Sequence, residues 1–325
     1  MATGKALDGK PYAGNPHVRF DEGEVAPCTA EASLRRVHCR RQPEGSASWC
    51  AATPRRGSLL YKRLLVAVGA VIAGSVVAAG LPTRDVPYVT EGDAYRTGRC
   101  KLDLRIPSET GFPTVVWFHG GGLTVGGRHF LDIDRRIGIV AVDYRLMNAT
   151  NGVQGADCIE DAATAVAWTL KNIAAYGGDT NKVYVSGMSA GGYLTMMVGM
   201  APAYLAKHGF KPTDLAGIVP ISGQATKHFA VRQFAGDKDP QYLPKIDELA
   251  PLHWVGADLP PILDVCGQPP YEWKARSEEN RLLVASCVAL GHKNARFVEC
   301  QFCDHGRVFH AALPYLEFFV LGRMP

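Results

Sequence analysis

From Asp85 to its C-terminus the sequence predicts an α/β fold, with a mainly parallel central sheet and helices on both faces. Three observations lead there. Apolar runs of strand length alternate with stretches of helical periodicity. Those runs are continuously apolar, as strands buried on both faces are. One of them, Lys182–Ser186, continues through Gly187-Met188-Ser189-Ala190-Gly191 into the helix-compatible Tyr193–Met200, a strand–turn–helix junction.

Taken in order, the first element is not part of that fold. Residues 1–63 are rich in Gly, Pro, Ser, Arg and Ala and have no apolar periodicity, so they read as a disordered basic tail. They hold 11 basic and 6 acidic side chains of the chain's 35 and 31, which leaves 24 against 25 for the rest. The excess positive charge therefore belongs to the tail. The remainder offers no basic face, which argues against nucleic acid as a partner. Residues 64–81 (LLVAVGAVIAGSVVAAGL) carry no charge and follow Lys62 and Arg63. Basic flank, apolar run and small residues Ala78-Ala79-Gly80 read as a signal peptide or an N-terminal anchor. The chain is expected to be secreted or periplasmic, and at the membrane only if Leu64–Leu81 stays uncleaved.

Residues 82–325 are long enough for one domain with a full core. Arg99–Ile106 reads as an edge strand, followed by strands at Pro113–Phe118 and Gly138–Asp143. Cys158–Asn172 is a helix, since Ile159, Ala162, Ala163, Val166, Leu170 and Ile173 recur at helical spacing behind Glu160 and Asp161. Gly177-Gly178 ends it and the Lys182 strand follows. Leu215–Ile221 and Pro261–Cys266 are further strands. Ser277–Leu290 is a helix stopped by Gly291, Ala295–Cys300 a last strand, and Phe309–Leu321 a closing helix. Ser222–Leu259, with Gln224, His228, Phe229, Arg232, Tyr242 and Trp254, is an insertion. It reads either as a pocket wall or as a solvated excursion.

The chemistry is carried by three stretches. The G-x-S-x-G turn exposes the Ser189 hydroxyl, and Gly187 and Gly191 carry no side chain to clash where the chain folds back. The helix that starts at Ala190 aims free N–H groups at that hydroxyl. His119-Gly120-Gly121-Gly122 follows the apolar strand Pro113–Phe118, and consecutive glycines let backbone N–H groups approach a substrate closely. Asp304-His305-Gly306 lies near the C-terminus, so serine comes first in the chain and histidine last. In this constellation Ser189 is the nucleophile, His305 the base, and the N–H groups of Gly121, Gly122 and Ala190 the oxyanion hole. His119 reads as structural, tying the glycine loop to its neighbours.

The segments FHGGGLTVGG (Phe118–Gly127), DYRL (Asp143–Leu146), EDAATAVAW (Glu160–Trp168), YGGDTNKVYVSGMSAGGYL (Tyr176–Leu194) and CDHG (Cys303–Gly306) resemble the α/β-hydrolase superfamily. The likeness is to its HGGG branch of hormone-sensitive-lipase-like esterases, in particular secreted carboxylesterases and carbohydrate-ester esterases. The resemblance implies the α/β-hydrolase fold and cleavage of carboxylic esters through an acyl-enzyme on Ser189. The implied substrates are short-chain acyl esters, carbohydrate-linked ones among them, with no cofactor. Two other readings stay open: an amidase or exopeptidase-like hydrolase on the same fold, and a catalytically impaired hydrolase-like binding protein.

The motive for the last is the triad acid. Members of the resembled family place Asp or Glu three residues after the glycine that ends a strand like Pro261–Cys266. Here that position is Pro270, which cannot orient an imidazole. Glu272, five residues after Gly267, is the expected partner of His305. Asp264 would need a different register, Glu278 and Glu279 read as the start of a helix, and Asp304 points away from its neighbour. Of nine cysteines, Cys100, Cys158, Cys266, Cys287, Cys300 and Cys303 lie in the domain. They permit disulfides without demanding them. Cys300-x-x-Cys303 lacks a second pair at ligand spacing, so no metal is expected and packing or a local disulfide is the better reading.

Overall fold

The computed structural model of the protein describes residues 82–324. The readings for residues 1–63 and for Leu64–Leu81 lie outside them. Eight strands form one sheet: β1 (Thr83–Pro87), β2 (Lys101–Arg105), β3 (Phe112–Phe118), β4 (Gly138–Val142), β5 (Gly178–Met188), β6 (Gly217–Ile221), β7 (Ile262–Gly267) and β8 (Ala295–Cys300). Their order is β1-β2-β4-β3-β5-β6-β7-β8. β2 pairs antiparallel with both β1 and β4, and every pair from β4 to β8 is parallel. The six parallel strands therefore end on one edge, and the loops leaving that edge can meet.

The helices are α1 (Ala94–Arg99), α2 (Gly155–Asn172), α3 (Ala190–Met200), α4 (Pro202–Ala206), α5 (Phe229–Phe234), α6 (Arg276–Ala289) and α7 (Arg307–Val320). Strand residues alternate between two cores. Val116 and Phe118 of β3 face the layer of α2, α3 and α6, while Val115 and Trp117 face α7. Fully burying side chains of this kind contributes about 1.5–3 kcal/mol each. The α7 side is finished by a stretch without helix, in which Leu131, Ile133 and Ile137 pack against β3 and β4. Helices do cover both faces, but unequally.

Two elements differ from the sequence reading. β2 is not at the edge, because β1 pairs outside it. The β1 segment TRDVP has no alternating apolar pattern, is mostly exposed and carries a register shift between Thr83 and Val86, so nothing in it marks a strand. α1 was also illegible: it buries no residue, and its start rests on Asp93 accepting from Arg96 N. The Ser222–Leu259 insertion is a structured wall holding α5 and a short turn at Pro251–Trp254. Among the described residues no helix is long and apolar enough to cross a membrane.

Candidate active site

β5 ends at Met188 and α3 begins at Ala190, so Ser189 alone makes the turn. Its backbone sits at φ 57°, ψ −114°, a conformation an L-residue adopts only when its surroundings enforce it. The enforcement is visible. Ser189 N donates to Ile221 O at 2.8 Å, and Tyr193 N donates to Ser189 O at 2.9 Å. The flanking glycines are required by contact: a Cβ on Gly191 would lie 2.0 Å from Phe118 O, and one on Gly187 2.4 Å from Gly191 O.

His305 lies on the loop between β8 and α7, and Glu272 on the loop between β7 and α6. His305 Nε2 is 2.8 Å from Ser189 Oγ, and His305 Nδ1 is 2.7 Å from Glu272 Oε1. The three side chains thus form one hydrogen-bonded line. Glu272 is held from three sides, with Trp273 N donating to Oε1 at 2.8 Å and Ser222 Oγ to Oε2 at 2.7 Å. Burial would raise its carboxyl, but His305, the Ser222 hydroxyl and the Trp273 N–H outweigh that and hold it below the usual carboxylate range.

The other carboxylates are elsewhere. Asp264 is fully buried in β7, and both of its oxygens lack a hydrogen-bond partner. Burial first, then the nearby Glu279, pushes its carboxyl well above the ordinary value, against the pull of Arg276. Asp304 Oδ1 accepts from Gly306 N at 3.0 Å and Arg307 N at 2.8 Å, which caps the start of α7. Glu278 and Glu279 stand in the first turn of α6.

The glycine loop approaches from β3. Gly121 and Gly122 have φ values of 103° and 62°, and Gly121 O accepts from Thr124 N and Val125 N at 3.0 Å each. The N–H groups of Gly121 and Gly122 donate to no described residue. Ala190, at the first position of α3, has the unpaired N–H of a helix start. His119 is buried, stacked on Tyr144 with centroids 4.4 Å apart, and its Nδ1 lies 2.7 Å from Gly120 O. Burial lowers its pKa to about 4, so it is a neutral spacer at neutral pH. Asp143 sits beneath it, 3.7 Å from its Nε2, and joins Arg99 and Arg128 to the loop base.

A cavity of about 550 Å³ opens over Ser189, with Gly122, Thr124, His228, Phe229, Trp273 and Arg276 in its wall. Of the insertion residues singled out by sequence, His228, Phe229 and Arg232 line it. Gln224 instead fixes the local turn by accepting from Phe229 N and donating to Lys227 O. Tyr242 packs edge-on against Phe229, and Trp254 donates to Glu248 O. Arg232 is buried and donates to Asp237 Oδ2 and to the carbonyls of Asp239, Pro240, Gln241 and Leu243. The strap 237–243 is wound around that one guanidinium.

Sequence reasoning missed three residues here. Ser222 touches both Glu272 and His305. Trp273 stacks on the His305 ring at 4.9 Å, and Arg276 lies over Trp273 at 5.7 Å and donates to Ser222 O at 2.7 Å. No local pattern marks them, because each acts across segments 30 or more residues apart. The six cysteines of the domain are free, so the local disulfide at Cys300 and Cys303 is not formed. Among the described residues no group of three or more His, Cys, Asp or Glu is arranged to hold a metal ion.

The BD-FAE family profile matches residues 102–269 of this chain. Among curated proteins, a probable isoprenylcysteine alpha-carbonyl methylesterase of Oryza sativa subsp. japonica is 38% identical over 106 residues, covering 30% of this chain and 24% of that protein. Liver carboxylesterase 1F of Rattus norvegicus is 32% identical over 127 residues, covering 35% and 22%. The matches thus span less than a quarter of those relatives' length. Among solved structures, a truncated carbohydrate esterase from gut microbiota aligns at TM-score 0.57 and 16% identity, over 75% of this chain and 96% of that one. The propionate-bound esterase 2 of Thermogutta terrifontis aligns at TM-score 0.57 and 20% identity, over 75% and 94%. At such identities the structural likeness speaks for the α/β-hydrolase fold alone.

Proposed function

Because this chain belongs to the BD-FAE family, we propose that it hydrolyses carboxylic esters through an acyl-enzyme on Ser189. The observation that carries the reading is the unbroken line from Ser189 Oγ through His305 to Glu272. The matched segment contains the glycine loop and Ser189, whereas Glu272 and His305 lie beyond it, so the acid and base rest on geometry.

In this mechanism Ser189 Oγ attacks the ester carbonyl as its proton passes to His305 Nε2. Glu272 keeps the ring in the tautomer with hydrogen on Nδ1 and balances the imidazolium that forms. The carbonyl oxygen, now an oxyanion, is held by the N–H groups of Gly121, Gly122 and Ala190, each contributing about 3 kcal/mol in comparable sites. The tetrahedral intermediate collapses, and His305 returns the proton to the departing alcohol. Water then attacks the acyl-enzyme with His305 as base and releases the acid.

Short acyl groups are the proposed acyl half, with carbohydrate-linked esters among the alcohols. Support comes from the polar wall of the cavity, where Asp237, Asp239, Gln233 and Gln241 stand. Glu272 within 2.7 Å of His305 Nδ1 supports the hydrolase over an impaired binding protein. A panel of acetyl, butyryl and acetylated-sugar esters beside matching anilides tests the reading. Ester turnover far above anilide turnover is expected, and anilide preference would make the chain an amidase instead.

Export is likewise proposed from Leu64–Leu81. Mass spectrometry of protein recovered outside the cytoplasm should find a new N-terminus near Gly80–Pro82. An intact Leu64–Leu81 run in the membrane fraction would make it an anchor.

A further inference from the structure

Ser222 follows β6 directly, and its backbone, like that of Ser189, is forced to positive φ, at 46°. A side chain other than glycine is held there at a cost of the order of 1 kcal/mol or more. Three bonds hold it. Its N–H donates to Val265 O at 2.8 Å, Arg276 Nη1 donates to its carbonyl at 2.7 Å, and its hydroxyl donates to Glu272 Oε2 at 2.7 Å. The same oxygen lies 3.0 Å from His305 Nδ1. Arg276 is itself buried and braced by Glu279 at 3.1 Å, which accepts in turn from the Thr226 hydroxyl at 2.7 Å.

We propose that Ser222 is a positioning residue of the ester hydrolysis proposed above, holding Glu272 and the Nδ1–H of His305 in register through its hydroxyl, with Arg276 as its clamp. The chemistry follows from the hydrogen-bond inventory. A hydroxyl has one proton and two lone pairs. Its proton goes to Glu272 Oε2, and a lone pair faces the Nδ1–H that Glu272 Oε1 also accepts. The hydroxyl therefore closes a three-membered network in which acid and imidazole share a second contact. Without it, Oε2 of this buried carboxylate keeps, among the described residues, only the Cys266 thiol, at 4.0 Å.

The need for such a brace follows from where Glu272 stands. Glu272 comes five residues after Gly267, on a longer side chain than aspartate. A carboxylate reaching in from that distance has more rotamers to lose. Trp273 N fixes one of its oxygens, and Ser222, from the neighbouring strand, fixes the other.

The test uses two variants of the full protein, Ser222→Ala and Ser222→Gly. Both delete the hydroxyl, but glycine adopts φ 46° without strain. The proposal expects both to lose kcat by about 10- to 100-fold, the range for leaving a buried charged acceptor short of its donor, with KM within about twofold. A role in backbone geometry alone would spare Ser222→Gly, which overturns the proposal. So would full kcat in Ser222→Ala.

A second readout needs no turnover. The low-field proton resonance of His305 Nδ1–H should shift in both variants, and an unchanged resonance overturns the proposal. Wild-type protein that cleaves no ester would overturn the proposed function instead, leaving the resonance to decide on Ser222.

Discussion

Glu272 Oε1 lies 2.7 Å from His305 Nδ1, although Pro270 occupies the position three residues after Gly267 where the resembled family carries its acid. The loop recovers the distance by folding back, with Tyr271 N and Glu272 N both donating to Gln268 O, at 2.8 and 3.1 Å. Glu272→Gln should therefore lower kcat by about 10³-fold or more with little change in KM, the pattern for losing tautomer control and imidazolium stabilisation. Asp304→Asn and Asp264→Asn should leave kcat within about twofold. Steady-state kinetics of the three variants checks this, and full activity in Glu272→Gln alongside loss in either Asp variant reverses the assignment.

Asp264 supplies a prediction about stability instead. Its carboxyl is raised well above the ordinary value by burial, so over the range above about pH 4 the folded chain binds a proton that the unfolded chain has released. Stability then falls as pH rises from that point. Asp264→Asn has no such proton to lose. Its Tm relative to wild type should climb as pH rises from about 4, as read by calorimetry at several pH values. A difference that stays flat would show that Asp264 titrates normally.

Gly191 has no room for a side chain, since its Cβ would sit 2.0 Å from Phe118 O. Phe118 O and His119 O, the latter 2.8 Å away, are both backbone, so neither can turn aside. Gly191→Ala should destabilise the protein by roughly 3 kcal/mol and remove activity with it. Gly98→Ala, where a Cβ meets nothing within 4 Å, is the control and should leave the denaturation midpoint nearly unchanged.

Arg232 holds the strap 237–243 rather than the reacting atoms. Arg232→Met keeps the length of the side chain but leaves Gln241 O and Leu243 O, both 2.8 Å away in the wild type, without their donor. The strap should loosen, with KM for a bulky alcohol ester rising about tenfold and KM for an acetyl aryl ester changing little. Equal change in both would mean that the strap does not contact the substrate.

How far the sequence could be read follows from where each signal resides. β3, β4, β6 and β7 were legible because burial on both faces demands largely apolar runs. The junction at Ser189 was legible because a strand that turns into a helix in one residue leaves a local mark, the glycines two before and two after the serine. β1 and α1 were not, since they bury almost nothing and so impose no pattern. The partner of His305 narrowed to few carboxylates by counting from Gly267, and the structure sets Glu272 against Nδ1. Ser222 and Arg276 had no such arithmetic. Ser222 stands 50 residues from Glu272 and 54 from Arg276, and only the folded sheet brings it to them.

Ester hydrolysis by this chain requires Ser189 as a nucleophile activated by His305, and a fluorophosphonate probe tests that most directly, because it reacts with an activated serine whatever ester is preferred. Peptide mass spectrometry after labelling of the full protein should place one adduct on Ser189. Labelling should vanish in Ser189→Ala and fall by orders of magnitude in His305→Ala. No adduct on Ser189 in folded wild-type protein, or equal labelling in Ser189→Ala, would contradict it.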